Sequence, residues 1–276
     1  MSAPEVEMRI TPAPRWPELQ LGELWAYREL VYFLVWRDVK VRYQQTILGV
    51  AWAVLQPLVT VAIFTFVFGR LAALPSEGVP YPVFALAALL PWQLFSAAVG
   101  GSSNSLVGSA RLLTKVYFPR LIIPIGAVSS TLPDFGVSAV LLAGLMVWFG
   151  IVPGAGVILL PLFALQALTL ALAIGLWTSA LNVRYRDVQY LLPFALQALL
   201  FISPVAYSVS LVPKGPWRTL YGLNPLVGAI QGFRWALLGA APPGALAWLS
   251  VPVTLALLIG GLVFFKHMED QFADIV

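Results

Sequence analysis

The chain has no cysteine and a single histidine, and charged side chains make up only 10% of its residues. Without cysteine there is no disulfide framework and no thiol chemistry. The lone His267 falls beyond the last apolar run, so no HExxH pair or His/Cys cluster exists and no metal site is expected. No Ser/His pair can be assembled within the apolar runs either, which removes the common hydrolytic arrangement. The phosphate-cradling GxxxxGK(S/T) loop is also missing, so the chain is not expected to act as an enzyme by itself. Any dependence on ATP has to come from a partner.

What is present is apolar. The chain is 60% hydrophobic with a mean hydropathy of +0.87, whereas soluble domains carry about 25% charged residues. Charge is absent from Tyr43–Gly69, Gly78–Ala110, Phe135–Val183, Val188–Pro213 and Trp235–Phe265. Each run exceeds the roughly 20 apolar residues that cross a hydrocarbon core about 30 Å thick. The fold class is therefore read as all-α, a polytopic membrane protein. A net charge of +4 and a pI near 9.5 do not point to nucleic acid, because the basic residues flank the apolar runs as in cytoplasmic loops facing anionic lipid.

Turn residues divide the runs into six expected spans, near Leu48–Phe68, Val83–Asn104, Leu121–Phe149, Val157–Leu181, Val188–Ser210 and Leu246–Phe265. The third holds Pro124, Pro133 and Asp134 and is expected to tilt, kink or break. Pro153–Gly156 is the turn between the third and fourth. With six spans both termini share a side, and twelve of the 16 Lys/Arg fall on that side against four on the other. The Lys/Arg bias makes that side cytoplasmic. Residues 1–24 carry Glu5, Glu7, Arg9, Arg15, Glu18 and Glu23 without an apolar core, so no secretory signal is expected there.

Three segments fit no simple span. Within residues 1–47, Leu21, Leu24, Trp25, Tyr32, Val35, Trp36 and Val39 share one helical face, with Leu30, Phe33 and Leu34 opposite. This reads as an interface helix, or as a soluble helix packed on the loops. Residues 211–245 contain the uncharged stretch Thr219–Phe233, too short to cross and bracketed by Arg218 and Arg234 at the outer interface. The segment reads as a re-entrant, mobile gate or as an ordinary amphipathic loop, with Asn224 and Pro225 as N-cap and N1 of a helix ending near Gly239. Between spans two and three, Arg111 and Lys115 stand four apart around Leu112, Leu113 and Val116. That loop reads either as ordinary cytoplasmic charge or as a docking helix. Asp134 likewise keeps two readings, a pathway carboxylate or one that serves a helix start.

The order of seven segments identifies a resemblance: RDVKVRYQQTILG (37–49), AWAVLQP (51–57), LPWQLFS (90–96), KVYFPR (115–120), RYRDV (184–188), SPVAY (203–207) and NPL (224–226). From about Leu21 to Val276 the chain resembles the permease subunit of type-2 ABC exporters that move O-antigen, teichoic acid or capsule polysaccharide. The resemblance implies a homodimer binding two ATPase subunits, with ATP and Mg held there and no cofactor on this chain. It implies a coupling helix over about 105–118 (Arg111, Leu112, Lys115) and an outer gate containing Gly222, Asn224 and Pro225. Arg184, Arg186 and Asp187 are taken as further ATPase contacts. The substrate implied is a polyprenyl-pyrophosphate-linked glycan, entering near the cytoplasmic face of a bacterial inner membrane. Arg37, Lys40 and Arg42, just before span one, are the candidate cations for its entrance, with lipid anchoring as the competing reading. Of the 10 Trp, 9 Tyr and 16 Phe, Trp52, Trp92, Phe95 and Tyr207 are candidates to line the path. Another cargo, a drug or lipid, and an ion-coupled flippase are the competing functions. The span domain is expected over 48–265, with a tail at 266–276.

Overall fold

The computed structural model describes residues 21–44, 51–213, 215–244 and 248–275, and every regular element among them is helical. The expected boundary at 47/48 and the expected start of the last span at Leu246 lie outside these residues. Five segments are long and apolar enough to cross a membrane: Ala51–Leu71, Tyr81–Gly108, Ile122–Trp148, Ala155–Arg184 and Ser250–Glu269.

The bundle is organised around one helix, α4 (Tyr81–Gly108), with nearly every face buried. Tyr81 and Asn104 mark its two ends, about 35 Å apart at 1.5 Å per residue. Around it stand α3 (Ala51–Phe64), α6 (Ile122–Ser129), α7 (Leu132–Trp148), α8 (Leu160–Arg184) and α11 (Pro225–Leu238). The last long helix, α12 (Ser250–Ile275), packs along α8. Helix association in lipid depends on close fit, since lipid tails are as apolar as Leu. Gly261 supplies such a fit: a Cβ there would stand 2.9 Å from the Ala173 carbonyl. The Trp177 ring stacks on Phe264 at 4.6 Å, and its indole N–H donates to the Leu257 carbonyl at 3.2 Å.

The third expected span does break. Helix α6 ends at Ser129, and α7 begins again with Pro133 in its first turn, where a missing N–H costs nothing. Pro124 is tolerated for the same reason, in the first turn of α6. The first span has a different irregularity. Past Phe64 it continues to Leu71 as a π-helix, whose wider turns are uncommon outside functional sites.

The fifth expected span, Val188–Ser210, is α-helical only as α9 (Val188–Ile202), 15 residues or about 22 Å, with one 3-10 turn at Val209–Leu211. Ser203, extended ahead of Pro204 (φ −86, ψ 154), ends it. The segment still runs the length of α4. Asn182, just before it, donates to the Ser103 carbonyl at 3.0 Å, while near its far end the Ala206 carbonyl accepts from the Tyr81 hydroxyl at 2.6 Å. No residue of α9 is buried.

The N-terminal segment forms two helices instead of one, and its expected apolar stripe faces outward. The chain is divided into α1 (Leu21–Ala26) and α2 (Arg28–Gln44), and the residue that α2 buries is Leu34, from the face opposite the expected stripe. Leu34 lies where a Cβ on Gly126 of α6 would come within 3.2 Å of it. Packing on α6 takes the Leu34 face, and Trp25, Tyr32 and Trp36 stay exposed.

Candidate functional site

Two clefts run along one side of α4. The first, about 520 Å³, is walled by Trp52 and Gln56 of α3, Gln93 and Ser96 of α4, and Asp134 and Ser138 of α7. The second, about 380 Å³, continues toward the Asn104 end between α2 and α4, past Arg37, Asp38, Gly101, Asn104 and Gly108. Arg42 lines both. The shared wall is a row on α4, Gln93–Ala97–Gly101–Asn104–Gly108, at steps of three and four, so these residues follow one face. Neutral amides, hydroxyls and glycine backbone at this depth give a path that offers hydrogen bonds without committing a charge.

One ion pair stands in the first cleft. Arg42 donates to Asp134 Oδ2, and the adjacent Tyr43 hydroxyl donates to Asp134 Oδ1. The Arg42 and Asp134 side chains are 40% and 33% exposed, so both remain reachable from the cleft. Asp134 lies in the first turn of α7, where unpaired N–H groups favour negative charge. Asp134 thus stands in the first turn of α7 and pairs with a cation in the cleft.

At the Tyr81 end the residues form a hydrogen-bonded lock. Arg234 of α11 is 4% exposed and donates to the carbonyls of Tyr207 and Val205, each at 2.9 Å. Its guanidinium lies 3.6 Å from the centre of the Phe84 ring. Tyr207 donates to the Ile202 carbonyl at 3.0 Å, and the Tyr221 hydroxyl donates to Tyr207 at 3.1 Å. Asn224 donates to Ser203 Oγ at 3.0 Å while its own Oδ1 caps Leu226 N–H at 3.1 Å, with Pro225 next and Gly239 left-handed at the far end. The expected caps are thus in place. The expected surface position of Arg234 is not, because its acceptors are main-chain carbonyls of 205 and 207. Nor is α11 a loose flap: Leu226, Ile230, Phe233 and Ala236 are all fully buried. The exposed part of this region is α10 (Pro216–Gly222), with Trp217 and Leu220 outward and Gly222 buried.

The expected ATPase contacts gather at the Asn104 end. Arg111 and Lys115 are exposed, Leu112 is half-buried and Leu113 is buried. The expected helix over 105–118 is replaced by the end of α4, one turn at α5 (Ala110–Leu113) and a loop, so Arg111 and Lys115 do not share a helical face. This loop is held from below, where Glu269 of α12 accepts from the Arg120 N–H at 3.3 Å and pairs with Lys266 at 2.7 Å. Arg184, Arg186 and Asp187 are exposed at the same end, just past Asn182.

Residues 29–238 match the ABC-2 type transporter family. The chain belongs to that family. This ABC-2 type chain is 32% identical to the O-antigen export system permease protein RfbA of Myxococcus xanthus, over 91% of the chain and 97% of that protein. A Klebsiella pneumoniae protein of the same name is 25% identical over 90% of the chain and 95% of its own length. The polysialic acid transport protein KpsM of Escherichia coli is 27% identical over 85% and 91%. The family match runs from α2 through α11, and so covers both clefts and the lock.

Among the expected site residues of this ABC-2 type protein, the structure brings Arg37, Arg42 and Trp52 to the clefts. Lys40 is exposed on α2 without lining either cleft, and Arg37 also pairs with its neighbour Asp38 at 2.9 Å. Trp92 and Phe95 do not line the clefts. They are 6% and 0% exposed and pack ring to ring at 5.8 Å, because α4 is enclosed by its neighbours at that level. Tyr207 belongs to the lock. Tyr43, Gln56, Gln93, Ser96, Asn104 and Ser138 went unselected in the sequence; the signal available was a row of small and neutral polar residues within an apolar helix.

Proposed function

We propose that this chain is the membrane permease subunit of an ATP-driven exporter that carries a lipid-linked polysaccharide out across a bacterial inner membrane. The observation that carries the reading is the hydrogen-bonding cleft lined mostly by uncharged side chains around the one Arg42–Asp134 pair, open along α3 and continuous with the α2–α4 cleft. A sugar chain needs replacement partners for every hydroxyl that leaves water, and the Gln, Ser and Asn side chains with the Trp52 ring provide them without selecting one sugar. The relatives' names support a polysaccharide cargo, and the basic Asn104 end supports cytoplasmic termini.

The chain works as a homodimer in this reading. The outward face of α3 and the whole of α9 are apolar surfaces for a second copy or for lipid, and two clefts facing each other would enclose the path. Two ATPase subunits dock at the Asn104 end through 105–118 and 184–187. Arg37, Lys40 and Arg42 receive the polyprenyl-pyrophosphate end, and α10 with Gly222 closes the far mouth.

Inverted membrane vesicles containing the chain and its ATPase test this directly. ATP should drive a radiolabelled lipid-linked glycan into a compartment protected from glycosidase. Stimulated hydrolysis by a drug or a lipid without a glycan, and no glycan protection, would overturn it.

A further inference from the structure

The Arg42–Asp134 pair stands at the junction of the two clefts, and its geometry is one-sided. The hydrogen bonds of Arg42, to Asp134 and to the Ser130 carbonyl at 3.5 Å, both leave from Nη1. Nη2 and Nε make none among the described residues. Asp134 is tied on both oxygens, to Arg42 and to Tyr43, which are consecutive residues near the end of α2. The end of α2 is thereby fixed against the start of α7, and one edge of the guanidinium is fixed with it. The free edge, Nε with Nη2, is the planar pair of donors that takes two oxygens of a phosphate at once.

A pair this exposed adds little to stability, so fold maintenance alone gives a weak account of a carboxylate placed within a span. A cation facing a cleft of mostly uncharged groups has a stronger need of one. The carboxylate balances its charge while the site is empty and stops the long side chain from folding away.

We propose that Asp134, helped by the Tyr43 hydroxyl, is a positioning residue that presents the free edge of Arg42 to the phosphate or diphosphate ester of an amphipathic ligand. The proposal rests on the export reading for the direction in which that ligand moves. The shared chemistry, an ester phosphate on a lipid, fits either a carrier-linked substrate or an anionic membrane lipid.

The test uses the whole complex of chain and ATPase in nanodiscs. ATP hydrolysis is followed against added polyprenyl diphosphate in neutral phosphatidylcholine, and separately against rising phosphatidylglycerol. Asp134→Asn should raise the half-saturating concentration roughly tenfold, the loss of one charged hydrogen bond, with the maximal rate nearly kept. Asp134→Glu should recover most of that shift. Tyr43→Phe should move it less, in the same direction, and it carries the test should Asp134→Asn assemble poorly. A shift seen only with phosphatidylglycerol keeps the positioning role and removes the lipid-linked cargo. Stimulation by polyprenyl diphosphate with unchanged half-saturation in both variants overturns the positioning role and leaves the export reading standing. A wild-type complex that responds to neither anion also overturns the proposal.

Discussion

Arg42 and Arg234 are both arginines inside the bundle, and their surroundings differ in every respect that matters. Arg234 is 4% exposed, is held by two main-chain carbonyls and is covered by the Phe84 ring. Arg42 is 40% exposed at its side chain, is held along one edge and borders two clefts. A cation enclosed by two carbonyls and a ring, even with its Nε unpartnered, has no capacity for a moving ligand. It fixes the SPVAY segment to α11 and α4. A half-open cation with spare donors does have that capacity. The same side chain thus stands in opposite settings, enclosed near Tyr81 and half-open nearer Asn104.

The comparison breaks most visibly at the lock. Arg234→Leu would leave the carbonyls of Val205 and Tyr207 without donors, and hydrogen bonds to charged groups contribute about 1.5–3 kcal/mol each. The expected outcome is a loss of about 3 kcal/mol or more, read as a large fall in the melting temperature in detergent; Arg234→Lys should recover part of it. A melting temperature unchanged by Arg234→Leu would remove the lock.

Gly232→Ala should have the next largest effect. A methyl there would overlap the Phe163 ring, and overpacking of this kind costs about 1–3 kcal/mol. The check is the same melting curve, with Phe163→Leu in the same chain expected to relieve part of the loss. Arg42→Ala should change stability least, by under about 1 kcal/mol, as for an exposed ion pair. It should nevertheless weaken the response to polyprenyl diphosphate more than any lock variant that still folds. Equal melting losses for Arg42→Ala and Arg234→Leu would erase the distinction. Smallest of all on folding should be the double change of Arg111 and Lys115 to Glu, both exposed. Its readout is ATPase retained on affinity-purified chain, which should fall while the melting temperature holds.

Features set by local chemistry were legible in the sequence. The cap at Asn224, the N1 Pro225, the stop at Gly239 and the break at Pro133 each depend on a few neighbouring residues, and each stands where expected. Features set by which side of a helix is enclosed were not. In a lipid-facing chain, apolar residues cover the outside as well as the core, so Trp92 and Phe95 carried no mark of burial. On α2 the same ambiguity hid which residue would pack inward: Leu34 is buried, while the expected stripe with Trp36 stays outside. Arg234 was misplaced for another reason: its partners are carbonyls, which every residue has, so no pattern announces them. The clefts were partly legible, through Arg42, Trp52 and Asp134. Their neutral polar lining was visible as a row on α4 but has no charge to attract notice.

The contact between α8 and α12 also bears on the order in which the protein is made. Phe265 and Phe272, near the C-terminus of the chain, are fully buried in the same cluster as Leu34, Leu113 and Phe118. Glu269 reaches the backbone of Arg120 in the loop beyond α5. During synthesis, the early helices and this loop emerge long before the residues that support them. Until α12 has been made, the nascent chain lacks the apolar cover of the loop beyond α5. Cutting α12 before Phe265 would therefore leave Leu34, Leu113 and Phe118 uncovered, so the packing of that loop depends on residues made much later than the loop itself.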